Sequence, residues 1–215
     1  MAFETLLCET RDDGIAVLTL NRPEKRNALS RQLRDEIVEC LNQLAGDDAV
    51  KVLVLGGAGV GFCAGFDLSE FAEGNMDEIF ADAQRYHREV HTFPKPLIAA
   101  VNGSAMAGGM DLALMCDVRV AAQSAVFGQP QVKMGIPAAF DLLRSVIPEA
   151  HARELCLSGR RVGAQEAQSF GLVNRVVADD ELMQAALQLA SEIAQSAGAA
   201  TMKSRFLESQ PNLFG

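Results

Sequence analysis

"LIAAVNGSAMAGGMDLALMCDVRVAA", residues 97–122, sets an apolar strand, a glycine-bearing turn, an apolar helix and a second strand in succession. "LIAAV" and "DVRVAA" are too short for helices and read as buried strands. Between them Gly108 and Gly109 stand where the helix must start. Glycine costs roughly 1 kcal/mol against alanine inside a helix, so two in a row imply that backbone comes close to something. The first N–H groups of a helix have no internal acceptor and sit at its partially positive end. One acid, Asp111, follows two residues later.

A second stretch has the same form. "GGAGVGFCAGFDL" (56–68) follows the strand-like "KVLVL". Two such loops converging would offer two N–H donors to one oxygen, an oxyanion hole. Spacing alone fits two ordinary strand-to-helix turns equally well. A dinucleotide reading of "GVGFCA" (59–64) fails, because the pattern wants the next strand after a single helix, with an acid at its end. Here the next clear strand begins only near Leu97.

Elsewhere "FETLLCET" and "GIAVLTL" read as strands around an Asp13-Gly14 hairpin turn. "LSRQLRDEIVECLNQLAG" places Leu29, Leu33, Ile37, Leu41 and Leu44 at helical spacing, with Ser30 as N-cap and Gly46 as stop. Residues 57–76 carry no clear period. A polar helix is expected over 77–92, and helices near 138–146, 149–157 and 164–169. "LVNRVV" reads as the last strand, before an amphipathic helix in "DELMQAALQLASEIAQ". Strands alternating with helices favour an α/β fold with largely parallel pairing. No repeat is obvious at the level of residues.

Composition narrows the function. At 215 residues, one substantial core is expected. A net charge of −9 argues against nucleic acid or an anionic membrane as partner. No apolar run is long enough to span a bilayer, and "MAFETLLCET" lacks the form of a signal peptide. Five scattered cysteines without a CxxC read as reduced thiols of a cytoplasmic protein.

The ordered set "LNRPEKRNALS" (20–30), "FCAGFDL" (62–68), "KPLIAAVNGSAMAGGMDLALMCDVRVAA" (95–122), "FGQPQVKMGIP" (127–137) and "LCLSGRRVGAQEAQSFGLVNRVV" (155–177) resembles the crotonase, or enoyl-CoA hydratase/isomerase, superfamily. The likeness covers nearly the whole chain. It implies a spiral of repeated ββα units in a single domain over 1–215, with a core over about 1–178 and a shortened helical part over 179–215. It implies an acyl-CoA substrate, no cofactor beyond the coenzyme A of that substrate, and trimers or dimers of trimers. The oxyanion donors it names are the N–H groups of Phe66 and Gly108. It places Ala28, Ala64, Gly65, Asp67, Leu68 and Gly109 against the substrate, and Lys25 and Arg26 near the CoA phosphates. Plain surface charge is the other reading of that basic pair.

The hydratases of this superfamily use two glutamates. Matching positions here hold Asp111 and Gln131. Asp111 is one methylene shorter, setting its carboxylate back by roughly 1.5 Å, and a misplacement of about 1 Å can cost around a hundredfold. Gln131 cannot exchange protons usefully near neutrality. A one-carboxylate proton transfer, such as double-bond isomerisation, therefore suits the residues better than two-glutamate hydration. Some relatives place an acid a few residues after the match to Gly135-Ile136. Here that place is Ala139, and Asp141 lies two residues beyond, where it could equally be a first-turn partner of a helix dipole. The other class of reading is a non-catalytic acyl-CoA-binding or assembly subunit.

His87 and His91, at i and i+4, lack carboxylate company and suit a solvated helix face better than a metal. His151 stands alone. Ser104, placed as in the distantly related Clp-type proteases, has no motif histidine to activate it. Asp117 and Arg119 suit a structural pair.

Overall fold

The structure, a computed structural model, describes residues 3–73, 76–210 and 212–213. Strand β1 (Leu6–Thr10) pairs antiparallel with β2 (Ile15–Leu20), and Gly14 takes φ +81° in the expected turn. Helix α1 (Arg31–Ala45) starts where predicted, with Ser30 Oγ accepting from the Leu33 N–H at 3.3 Å. Its buried face is Leu33, Ile37, Leu41 and Leu44, the heptad-like positions that pack one helix stripe onto a core. Gly46 ends it in right-handed geometry.

Three ββα turns follow. The first is β3 (Val52–Gly57), β4 (Gly61–Cys63) and the helices α2 (Leu68–Glu73) and α3 (Met76–His91). The second is β5 (Leu97–Val101), β6 (Ser104–Met106) and α4 (Gly108–Met115). The third is β7 (Val118–Ala122), β8 (Val126–Gly128), α5 (Phe140–Val146) and α6 (Glu149–Ser158). Strand β9 (Arg161–Gly163), α7 (Ala164–Ser169), β10 (Arg175–Val177), α8 (Leu182–Gln195) and α9 (Ala199–Ser209) complete the order.

Each turn gives its first strand to one sheet and its second to another. The larger sheet has order β1-β2-β3-β5-β7-β10 and is parallel from β2 onward. The smaller has order β4-β6-β8-β9, with only the last pair antiparallel. The repeat absent from the residues is thus present in the geometry. Three-residue strands are too short to display alternation, so the smaller sheet left no sequence signal.

The apolar runs are explained by burial on both faces. Val52, Val54, Ile98, Ala100, Val120 and Ala122 point to one side of the larger sheet, where Leu182, Ala186 and Ala190 of α8 cover them. The alternate residues Leu53, Leu55, Leu97, Ala99, Val101 and Ala121 point into the main core. Each such fully buried leucine, isoleucine or valine contributes about 1.5–3 kcal/mol.

Successive turns touch backbone to backbone where the chain passes between sheets. A Cβ on Gly103, between β5 and β6, would lie 2.3 Å from the Val60 carbonyl oxygen of the turn before. Only glycine fits there.

Asp117 and Arg119 do not pair with each other, contrary to expectation. Asp117 Oδ1 and Oδ2 accept from Lys203 Nζ at 2.8 and 2.9 Å, and Oδ2 also accepts from the Leu97 N–H at 2.8 Å. The buried lysine thereby ties α9 to the starts of β5 and β7 in the larger sheet. Among the described residues no helix is long and apolar enough to cross a membrane.

Candidate active site

The loop leaving β4 and the loop leaving β6 meet at the head of α4. The Leu29 N–H donates to the Gly65 carbonyl (2.8 Å) and the Asp67 N–H donates to the Leu29 carbonyl (3.3 Å). These bonds use the residues on either side of Phe66, which bridges Leu29 in parallel fashion. Phe66's own N–H therefore faces away from residue 29. Gly65 takes φ +97°, and a Cβ on it would lie 3.3 Å from the Gly108 nitrogen. The peptide entering Phe66 thus lies against the first amide of α4.

Ala107, just before that amide, takes φ +49° and ψ −125°, a conformation L-residues rarely adopt and one that stores about 1–3 kcal/mol. It is held by a bond from its N–H to the Gly128 carbonyl at 2.9 Å, and its own carbonyl accepts the Asp111 N–H at 3.0 Å.

The two glycines of the pair do different things. A Cβ on Gly108 would stand 2.6 and 2.7 Å from two carbons of the Phe66 ring. That ring is fixed in turn by the Arg34 guanidinium at 5.1 Å and by the edge-on His87 ring at 5.7 Å. A Cβ on Gly109 would stand 2.2 Å from the Cys63 carbonyl oxygen. Gly109 therefore lets α4 pack on β4, and it is not among the residues lining the cavity described next.

A cavity of about 440 Å³ opens in front of these loops. Ala64, Phe66, Leu68 and Gly108 form one wall, α3 contributes Ile79, Ala83, Gln84 and His87, and residues 136–139 close the far side. Asp111, one turn into α4, faces it and is only 5% exposed. Its Oδ1 accepts from Gln129 Nε2 at 2.8 Å, and Gln129 Oε1 accepts from Gln131 Nε2 at 2.5 Å. Gln129 is wholly buried and Gln131 lines the cavity. Gln131 Oε1 is buried without a hydrogen-bond partner among the described residues.

Burial pushes the Asp111 carboxyl up to about 7, although the Gln129 amide pulls it down. His87 is the other ionisable group in the lining; burial, then the Arg34 charge, bring it down to about 4 and keep it neutral. Asp111 is the one carboxylate lining the cavity among the described residues.

Other expected site residues fall elsewhere. Asp141 is exposed in the first turn of α5 and ion-paired with Arg144 at 2.9 Å, so its carboxylate belongs to the helix surface rather than to the cavity. Asp67 reaches Arg22 at 3.0 Å and Ser69 Oγ at 2.8 Å, contacts that anchor the loop, and it does not line the cavity. Ala28 is buried, and its carbonyl accepts from Arg22 Nη1. Lys25 and Arg26 are exposed, and the Arg26 carbonyl accepts the N–H of Ala64 on the cavity wall at 3.0 Å. Ser104 is exposed at the start of β6. His87 and His91 are partly buried rather than solvated, and His87 packs on Phe66.

Three residues in or beside the site were not singled out from sequence. Gln129 orients Asp111. Arg34, 1% exposed and ion-paired with Glu70 (3.0 Å) and Asp82, supports Phe66. Asn27, wholly buried, takes φ +55° and spans the first loop to the Ala58 and Gly61 carbonyls, each at 2.9 Å. The only sequence trace of Gln129 is a polar residue between a buried strand and a proline.

Residues 10–210 match the family model described as enoyl-CoA hydratase/isomerase. The chain is 42% identical over 194 residues to the 2,3-dehydroadipyl-CoA hydratase of Escherichia coli K12, covering 88% of this chain and 76% of that one. It is 36% identical over 202 residues to the short-chain-enoyl-CoA hydratase of Clostridium acetobutylicum, covering 91% and 77%. Among solved structures, the enoyl-CoA hydratase of Mycobacterium smegmatis superposes with a TM-score of 0.91 at 33% identity, covering 97% of this chain and 85% of that one.

Proposed function

This chain belongs to the enoyl-CoA hydratase/isomerase family, and from that premise we propose that it stabilises the enolate of an acyl-CoA thioester and moves one proton with Asp111. The thioester oxygen sits on the N–H groups of Phe66 and Gly108. Each such donor is worth on the order of 3 kcal/mol of barrier. Asp111 in its ionised form lifts a proton from carbon, the electron pair passes through the conjugated system to the held oxygen, and the proton returns at another carbon. A carboxyl poised near 7 divides between both forms at neutral pH, as that exchange requires.

One observation carries the reading: Asp111 is the lone carboxylate facing the cavity among the described residues, and it is linked through Gln129 to Gln131, a group that holds no exchangeable acid proton. Double-bond isomerisation needs one such group. Hydration is the second reading, supported by the unpartnered Gln131 Oε1 as an acceptor for water and by the names of the relatives. Lys25 and Arg26, beside the cavity rim, are the cations proposed for the CoA phosphates, and a trimer or dimer of trimers is the proposed assembly.

Conjugated and unconjugated enoyl-CoA panels, followed by ultraviolet absorbance and product mass, test the reaction. A shifted double bond at unchanged mass supports isomerisation, and gain of one water assigns hydration instead. Thioester binding without turnover on any substrate assigns a binding or assembly role. Unchanged turnover in Asp111→Asn removes Asp111 from the mechanism.

A further inference from the structure

A second cavity, of about 520 Å³, opens at the other end of α4, where Leu114, Met115 and Cys116 finish that helix. Arg119 faces it and is only 5% exposed. Its Nε donates to the Leu172 carbonyl and its Nη1 to the Cys116 carbonyl, both at 2.7 Å. Nη2 makes none of these bonds. The adjacent acid, Asp117, is engaged on both oxygens by Lys203. No carboxylate stands within 4.0 Å of the Arg119 guanidinium among the described residues.

The Cys116 carbonyl, and the Ala113 carbonyl that Nη1 reaches at 3.4 Å, lie at the negative end of the α4 dipole and offset part of the buried charge. They leave it without a carboxylate in hydrogen-bonding contact, the Asp117 charge acting only from farther off, and such a state costs free energy in a dry interior. Asn174 also lines the cavity, and its Oδ1 accepts the Arg119 N–H at 2.9 Å, which leaves its Nδ2 as a further donor. Leu142, Val146 and the half-exposed Phe206 supply an apolar wall. Asp117 on the rim disfavours a doubly charged anion.

We propose that this second cavity binds a small monocarboxylate with an apolar body, its carboxylate on Arg119 Nη2 and Asn174 Nδ2 and its body against Leu142, Val146 and Phe206. A planar carboxylate matches the free edge of a guanidinium, and the volume lies in the range of small-molecule sites. The site is distinct from the cavity holding Asp111 and does not depend on the reaction proposed there.

Titration of the whole chain with hexanoate, and with hexanol as the uncharged control, followed by calorimetry or ligand-observed NMR, tests this. Saturable hexanoate binding is expected in the unaltered chain and in Ala64→Trp, which obstructs the first cavity. In Arg119→Gln the affinity falls about tenfold or more, the scale of a charge-assisted hydrogen bond. Ser145→Trp, a change at an exposed residue of the lining that leaves Arg119 and its carbonyl bonds in place, abolishes binding and keeps the proposal testable if Arg119→Gln does not fold. The proposal is overturned by absent saturation, by equal affinity for hexanol, by loss of binding in Ala64→Trp, or by binding that Ser145→Trp leaves intact.

Discussion

Gly108 and Phe66 share one space: a side-chain carbon on the first would lie 2.6 Å from the ring of the second. The ring is held by Arg34 and His87, so it cannot swing aside without breaking those contacts. Gly108→Ala is therefore expected to displace the Phe66 loop. Turnover should drop about a hundredfold to a thousandfold, the scale of a lost oxyanion donor. Stability should fall by about 1–3 kcal/mol, the usual cost of overpacking. Steady-state kinetics beside thermal unfolding reads both, and an unaltered rate constant contradicts the donor assignment.

Gly109→Ala meets a main-chain oxygen rather than a movable ring, at 2.2 Å. Its expected effect is on folding, with a loss larger than that at position 108. Denaturant titration of the two variants side by side ranks them. Equal stabilities would show that α4 can lift from β4.

Asp111 ties activity and stability to pH in opposite senses. In the proposed mechanism the base form is the active one, so the rate should rise as pH passes about 7. Stability runs the other way. The folded state holds the Asp111 proton above the ordinary carboxyl range, so it binds more protons than the unfolded chain between about pH 4 and 7 and loses stability across that window as pH rises. The loss is of order 4 kcal/mol at about 1.4 kcal/mol per pH unit. Asp111→Asn should abolish turnover yet unfold at higher temperature than the unaltered chain at pH 8, with the gap closing near pH 4. A gap independent of pH is the contrary outcome.

Converting Gln131 to an acid tests the division between reactions. In Asp111→Glu with Gln131→Glu, two carboxylates face the cavity, and water addition to a 2-enoyl thioester should increase at least about tenfold relative to double-bond movement. Product ratios by mass and absorbance measure it.

Lys203→Met leaves Asp117 partly buried without its cation. Breaking such a pair costs about 3 kcal/mol or more, and the loss should centre on α9. Hydrogen exchange would register it as faster exchange over residues 199–209 than over α8.

The two glycine loops were legible in the sequence because a helix start is a place where glycine needs a reason. Ser30 and the leucines of α1 were legible through spacing. The carboxylate network was not. Gln129 and Gln131 are separated from Asp111 by the rest of α4 and by the strands β7 and β8, and the register of β6 with β8 brings them together. His87 is not solvated as its charge-rich helix suggests, because the face carrying Ile79, Ala83, Tyr86 and Val90 is buried and draws His87 inward. Asp117 misled for a different reason: its partner lies 86 residues away, and local pairing rules are blind at that range.

The contact between Gly103 and the Val60 carbonyl joins successive turns of the coil main chain to main chain. What nests is peptide on peptide, so lining residues such as Ile79, Met134 and Ile136 can be exchanged while the end of the cavity at Phe66 and Gly108 keeps its dimensions. Tolerance to re-lining and intolerance at Gly103 would then be properties of one scaffold.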